Sequence, residues 1–231
     1  MAGLQPADIL NFRPKRYPWL EDATPEDFTG GGRGQMGYYI RVLGTNLTEV
    51  PIQRLKERAS PVLIEEDELS DSWQQLVLRH PEGPEIAVIE KNPVVDGELG
   101  AEELKEFLDE IPSYRPASAV SWLENFLPTV KVLYAFQLLS GTDVDDGWSR
   151  LHAVYNTIWE VAGGILQADG EGFSNEAGYT ILWQFGETVT GEWNVGVLIE
   201  GAWKHFQIDL GNLQHREAFW NGTVPDGAKL L

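Results

Sequence analysis

Thirty-six acidic side chains against 17 basic ones leave this 231-residue chain with a formal charge of −19 at pH 7. The excess is carried by a sequence with nine Trp, nine Phe and seven Tyr. Aromatic and β-branched residues in such supply build a packed core, so disorder of the whole chain is excluded. The acidic groups must then be spread over the outside of a folded unit. Such a surface repels phosphate backbones and anionic lipid heads and attracts basic proteins. Nucleic-acid and membrane partners are not expected, because phosphate contacts need clustered positive charge.

The length permits one large domain or two small ones. No apolar run reaches the roughly 18 to 20 residues of a membrane helix. The chain has no Cys. Disulfides, thiolate nucleophiles, Cys-ligated zinc and iron–sulfur clusters are therefore excluded. Met1 to Leu10 lacks the basic and apolar regions of a secretory signal, and a soluble, cytoplasmic protein is expected.

Residues 1–35 differ in character from the rest of the chain. Phe12 to Leu20 is basic and aromatic with two prolines, and a glycine run occupies positions 30–34. Prolines favour extended backbone, and glycines make a joint. This stretch reads as an arm or a leader, and Tyr17 and Trp19 in it are candidate contact anchors.

From Met36 the apolar period switches between 2 and 3.6. Strands are expected at 38–43, 73–78, 85–90 and 130–139, and helices at 50–59, 100–111 and 118–127. Leu104, Phe107, Leu108 and Ile111 show the spacing of one helix face. A long helix capped at Thr142-Asp143 runs to Ala162, where Gly163-Gly164 stops it. Strands come next at 165–168, 179–185, 193–199 and 203–210, the last two joined through Glu200-Gly201. Residues 212–231 read as an irregular tail. This rhythm predicts an α+β fold, a largely antiparallel sheet with helices on one face. Two ferredoxin-like β-α-β-β halves, 36–128 and 129–231, are the expected arrangement.

No motif carries chemistry outright. His80, His152, His205 and His215 have no metal-like partner at i+2 to i+4. Asp143 to Gly147 fails the calcium-loop pattern. The Glu65–Glu68 run reads as a solvated loop. Asp169, Glu171, Asn175 and Glu176 lie within eight residues. A turn is the plainer reading of that segment, and a ligand or ion loop is the alternative. The glycine run precedes a strand instead of coming after one, so it is no phosphate loop. No cofactor or metal is expected. Most tryptophans should be core, whereas Trp220 beside Phe219 is a further candidate anchor for a partner.

The sequence therefore predicts a protein-binding module, an inhibitor or immunity-type protein that masks a basic partner. An enzyme with a dispersed carboxylate or His site, or an assembly component recruited through the arm, are the other readings.

Overall fold

Val42 and Leu43 are chain neighbours and both are fully buried. On a strand they point to opposite faces, so the sheet that holds them is covered on both sides. A computed structural model describes residues 38–66, 72–144, 146–186 and 188–231. The candidate anchors Tyr17 and Trp19, with the rest of the 1–35 arm, lie outside the described residues.

The elements run β1 (Tyr39–Gly44), α1 (Ile52–Ala59), β2 (Leu63–Glu66), β3 (Gln75–Arg79), β4 (Glu85–Pro93), α2 (Leu99–Glu110), α3 (Ala117–Phe126) and β5 (Val132–Leu138). They continue α4 (Gly147–Ala162), β6 (Ile165–Ala168), β7 (Gly172–Ser174), β8 (Thr180–Trp183), β9 (Glu192–Ile199), β10 (Ala202–Asp209), α5 (Leu213–Trp220) and β11 (Lys229–Leu230). The fold is α+β. One mixed, mostly antiparallel sheet has the order β11-β10-β9-β8-β7-β6-β1-β5-β4-β3-β2. Among the described residues, only β8 and β9 pair in parallel.

The order does not show two ferredoxin-like halves. β1 lies between β5 and β6, and β4 also pairs with β5, so strands from either side of residue 128 are direct neighbours.

The helices do not share one face, which corrects the expectation from the sequence. Leu55 and Ala59 of α1 and Leu151, Val154 and Ile158 of α4 pack with Val42, Tyr134 and Phe136. Leu104 of α2 and Ala119 and Leu123 of α3 pack with Leu43, Leu133 and Phe173 on the other face. The reason is visible in the strands. Val132 to Phe136 is apolar at every position and buried throughout, which demands cover on both sides. A third cluster joins Val195, Val197, Phe206 and Ile208 to Phe219 of α5.

Four local expectations change. The irregular tail contains α5, because the Asn212 side chain caps it by accepting from Gln214 N and His215 N. Glu65 and Glu66, expected in a loop, belong to the edge strand β2, where the exposed Glu65 hinders edge-to-edge pairing. The strand expected at 179–185 shortens to β8, and β7 forms beside it within the expected turn. Thr142-Asp143 does not cap α4. Those residues form a 3-10 turn, Thr142 Oγ1 donates to Leu139 O, and α4 starts at Gly147. No helix among the described residues is long and apolar enough to cross a membrane.

Candidate functional site

The segment from Asp169 to Glu176 is split by β7, and its polar groups go to different partners. Asp169 Oδ1 accepts from Arg41 Nη1 at 2.6 Å, and its Oδ2 accepts from Tyr39 N at 3.0 Å. Arg41 also pairs with Glu103 of α2 and donates to Gln167 Oε1 at 2.7 Å. Burial pushes the Arg41 pKa down, but Glu103 and Asp169 outweigh it and hold the guanidinium charged. Glu171 accepts from Tyr38 OH at 2.8 Å. These two carboxylates thus tie the β6–β7 turn to β1. Glu176 is exposed. Among the described residues, no three His, Asp or Glu side chains gather as a metal site would require.

Asn175, 1% exposed, does something else. Its Oδ1 accepts from Ala177 N and Tyr179 N, both at 3.1 Å. Backbone N–H groups face oxygen, so the amide orientation is fixed and Nδ2 faces His205 Nε2 at 3.0 Å. Nε2 of His205 therefore accepts, and the ring proton sits on Nδ1. Tyr179 stacks on the imidazole at 3.8 Å. Burial lowers the His205 pKa, and the donor at Nε2 opposes protonation further. The other histidines are built into the fold. His80 Nε2 donates to Gly141 O at 3.0 Å, and His215 Nδ1 accepts from Asp209 N at 3.1 Å. His152 lies between Trp148 and Tyr155, and burial pushes its pKa down to about 4.

The unneutralised acid collects on α2. Glu98, Glu102, Glu106 and Glu110 are exposed at i+4 spacing, so they run along one side of the helix. None forms an ion pair among the described residues, although Glu106, after Asp109, helps to hold the charge of Lys105. Asp109 and Glu110 occupy the last turn, which holds no basic residue. Lys105 is the one base in α2, and it is taken by Asp109 at 2.6 Å. Leu99, 56% exposed, and Val95, 49% exposed, adjoin the N-terminal end of this side.

The two aromatic anchors expected in the tail separate. Phe219 is fully buried against Trp183, so it has no surface to offer a partner. Trp220 is half-buried and meets Trp183 edge-on at 5.5 Å. It lines a cleft of about 480 Å³ with Tyr114, Arg115, Pro116, Ala117, Ser118, Leu198, Asn221 and Gly222. The cleft opens at the N-terminal end of α3.

No family model, curated protein or solved structure matches this chain. The α2 stripe was open to sequence reading through its i+4 spacing. The cleft was not, because its walls come from segments about a hundred residues apart.

Proposed function

We propose that this protein binds a basic protein through the exposed acidic side of α2, as an inhibitor or antidote that masks a positive surface. One observation carries the reading: acid stands where helix physics disfavours it. The C-terminal end of a helix carries partial negative charge and favours bases. Here the last turn of α2 carries Asp109 and Glu110 and no base. Like charges at i,i+4 also repel. A basic partner converts both liabilities into attraction. Leu99 and Val95 would add the dry apolar contact that slows dissociation.

The test is affinity capture from cells of the native host by wild type and by the variant E102Q/E106Q/E110Q. The reading expects a basic protein captured by wild type, released as salt rises from about 50 to 500 mM, and lost with the variant. An acidic captured protein, or capture indifferent to the variant, overturns it.

A further inference from the structure

We propose that Asn175, Tyr179 and His205 form an acid-released latch that ties the β7–β8 turn to the β9–β10 hairpin. The latch is separate from the acidic side of α2 and does not depend on it.

The latch stands where the sheet is held least. Among the described residues, β8 and β9 meet through a single register pair, Thr180 with Val195, whereas β9 and β10 pair along their whole length. Asn175 and Tyr179 lie on the β8 side of this joint, and His205 lies in β10 beyond it. The Asn175 and His205 side chains meet above Gly196 of β9, which stands opposite His205. A Cβ at Gly196 would lie 3.2 Å from His205 Cδ2 and 3.4 Å from Asn175 Nδ2, so a side chain there would crowd both.

Asn175 holds the turn and the ring at once. Besides the two amides bound by its side chain, its backbone N–H donates to Tyr179 O at 2.9 Å, and its carbonyl accepts from Gly178 N at 2.9 Å. The backbone of the turn thus closes on one residue. The Asn175 amide can serve His205 only while Nε2 carries no proton. A proton there sets one donor against another. Turning the amide over would offer Oδ1 to the imidazolium, but it would set Nδ2 against the N–H groups of Ala177 and Tyr179. Neither arrangement satisfies the turn and a protonated ring together, and a buried donor left without an acceptor is costly. Asn175 is 1% exposed, so water does not supply the missing acceptor. Acid therefore favours the open state, in which His205 is free to protonate.

No neighbouring charge takes over from Asn175. Glu176 in the turn is exposed, Lys204 points to the other face of the sheet, and Tyr179 covers the ring. β9 presents Gly196, and Leu231 with its carboxylate meets His205 through the backbone, N–H to carbonyl. Helix α3 reaches this face through Trp122 on Trp203, and its one charged residue, Glu124, is exposed. Burial alone shifts the His205 pKa, and no carboxylate raises it.

The experiment is amide hydrogen exchange of the full chain, followed by nuclear magnetic resonance from about pH 7.5 to 4.5 and corrected for the intrinsic rate of each amide. The probes are the N–H groups of Ala177 and Tyr179, with Phe136 of β5 reporting global unfolding. The latch requires an opening constant that is level above about pH 6.5 and then rises about tenfold per pH unit, until the folded pKa of His205, read from its ring signals in the same samples, is passed. Throughout, Ala177 and Tyr179 should open more readily than Phe136. H205Q keeps an acceptor for Asn175 Nδ2 but takes up no proton, and should remove the rise. N175D gives the imidazolium an acceptor and should reverse it, the turn closing as His205 takes up its proton. The two variants act independently, so if one fails to fold the other decides. A level opening constant in wild type, or the same rise in H205Q or in N175D, would overturn the latch. Opening of Ala177 and Tyr179 no greater than that of Phe136 would assign the acid effect to global unfolding and overturn it equally.

Discussion

Replacing Glu106 and Glu110 with Gln should make this protein more stable, although nothing is added to its core. The substitution E106Q/E110Q removes two repulsive i,i+4 pairs, Glu102 with Glu106 and Glu106 with Glu110. Each is worth about 0.2–0.5 kcal/mol. It also removes one negative charge from the last turn of α2, worth about 0.3–1 kcal/mol against the helix dipole. The lower half of that range applies. The chain continues into a 3-10 turn at Ile111–Ser113, and Ser113 Oγ donates to Glu110 O at 2.7 Å, so one terminal carbonyl is already satisfied. Gln and Glu have nearly equal helix propensity, so the backbone term cancels. The sum is about 1 kcal/mol. For a chain of this length that raises Tm by about 2–4 °C. Calorimetry at about 10 mM salt should show the gain, and at 1 M, where the screening length is about 3 Å, most of it should vanish. A variant no more stable than wild type at low salt would refute the reasoning. The stripe would then not oppose its own helix, and the proposed function would lose the observation that carries it.

Other perturbations test the interior. Arg41→Met strands Glu103, Asp169 and the buried Gln167, and should lower stability by about 3 kcal/mol in urea titration; a loss under 1 kcal/mol would mean that water replaces the guanidinium. His152 is buried and its folded pKa of about 4 lies below the ordinary 6.5, so the unfolded chain takes up a proton that the folded one refuses. Stability is unaffected above pH 6.5 and falls from there toward pH 4, by up to about 3 kcal/mol from this group. His152→Leu should flatten that part of the stability profile, and an unchanged slope would contradict it. Asn175→Asp keeps an oxygen for Ala177 N and Tyr179 N and places the other against His205 Nε2, so the His205 pKa should rise above 6.5 in a titration followed by nuclear magnetic resonance. A value that stays lowered would mean that the Asn175 amide does not turn its Nδ2 toward His205.

What the sequence disclosed was what neighbouring residues decide among themselves. Helix α2 begins within one residue of its expected start, because the spacing of Leu104, Phe107, Leu108 and Ile111 is a local signal. The β9–β10 hairpin is equally local, with Glu200 and Gly201 at φ 51° and 78°. Sheet order is not local. Nothing in Tyr39–Gly44 names β5 and β6 as its neighbours, nearly a hundred residues or more away. Two-sided burial was written in the unbroken apolar run of β5 but needed the pairing before it could be used. Helix α5 was hidden for another reason. Its apolar positions show almost no helical periodicity, and its fold depends on the Asn212 cap and on Phe219 reaching the third cluster. The Asp169–Glu176 group misled through adjacency. A three-residue strand in its middle sends Asp169 to Arg41 and Asn175 to His205.

Net charge gave the sign of the surface but no address, and the address has a consequence for salt dependence. Glu102, Glu106 and Glu110 succeed one another at i+4, so along the helix each stands about 6 Å from the next. That spacing is shorter than the screening length of about 8 Å at physiological salt, so a basic partner on α2 meets their charges together. Salt should then act mainly on association, because long-range attraction steers the encounter, whereas short-range contacts such as those of Leu99 and Val95 govern dissociation. Association and dissociation rates of a captured basic partner, measured from about 20 to 300 mM salt, would decide the matter. An association rate that stays level across that range, or a loss of affinity carried wholly by dissociation, would mean that the stripe does not steer its partner, and the proposed function would lose its electrostatic basis.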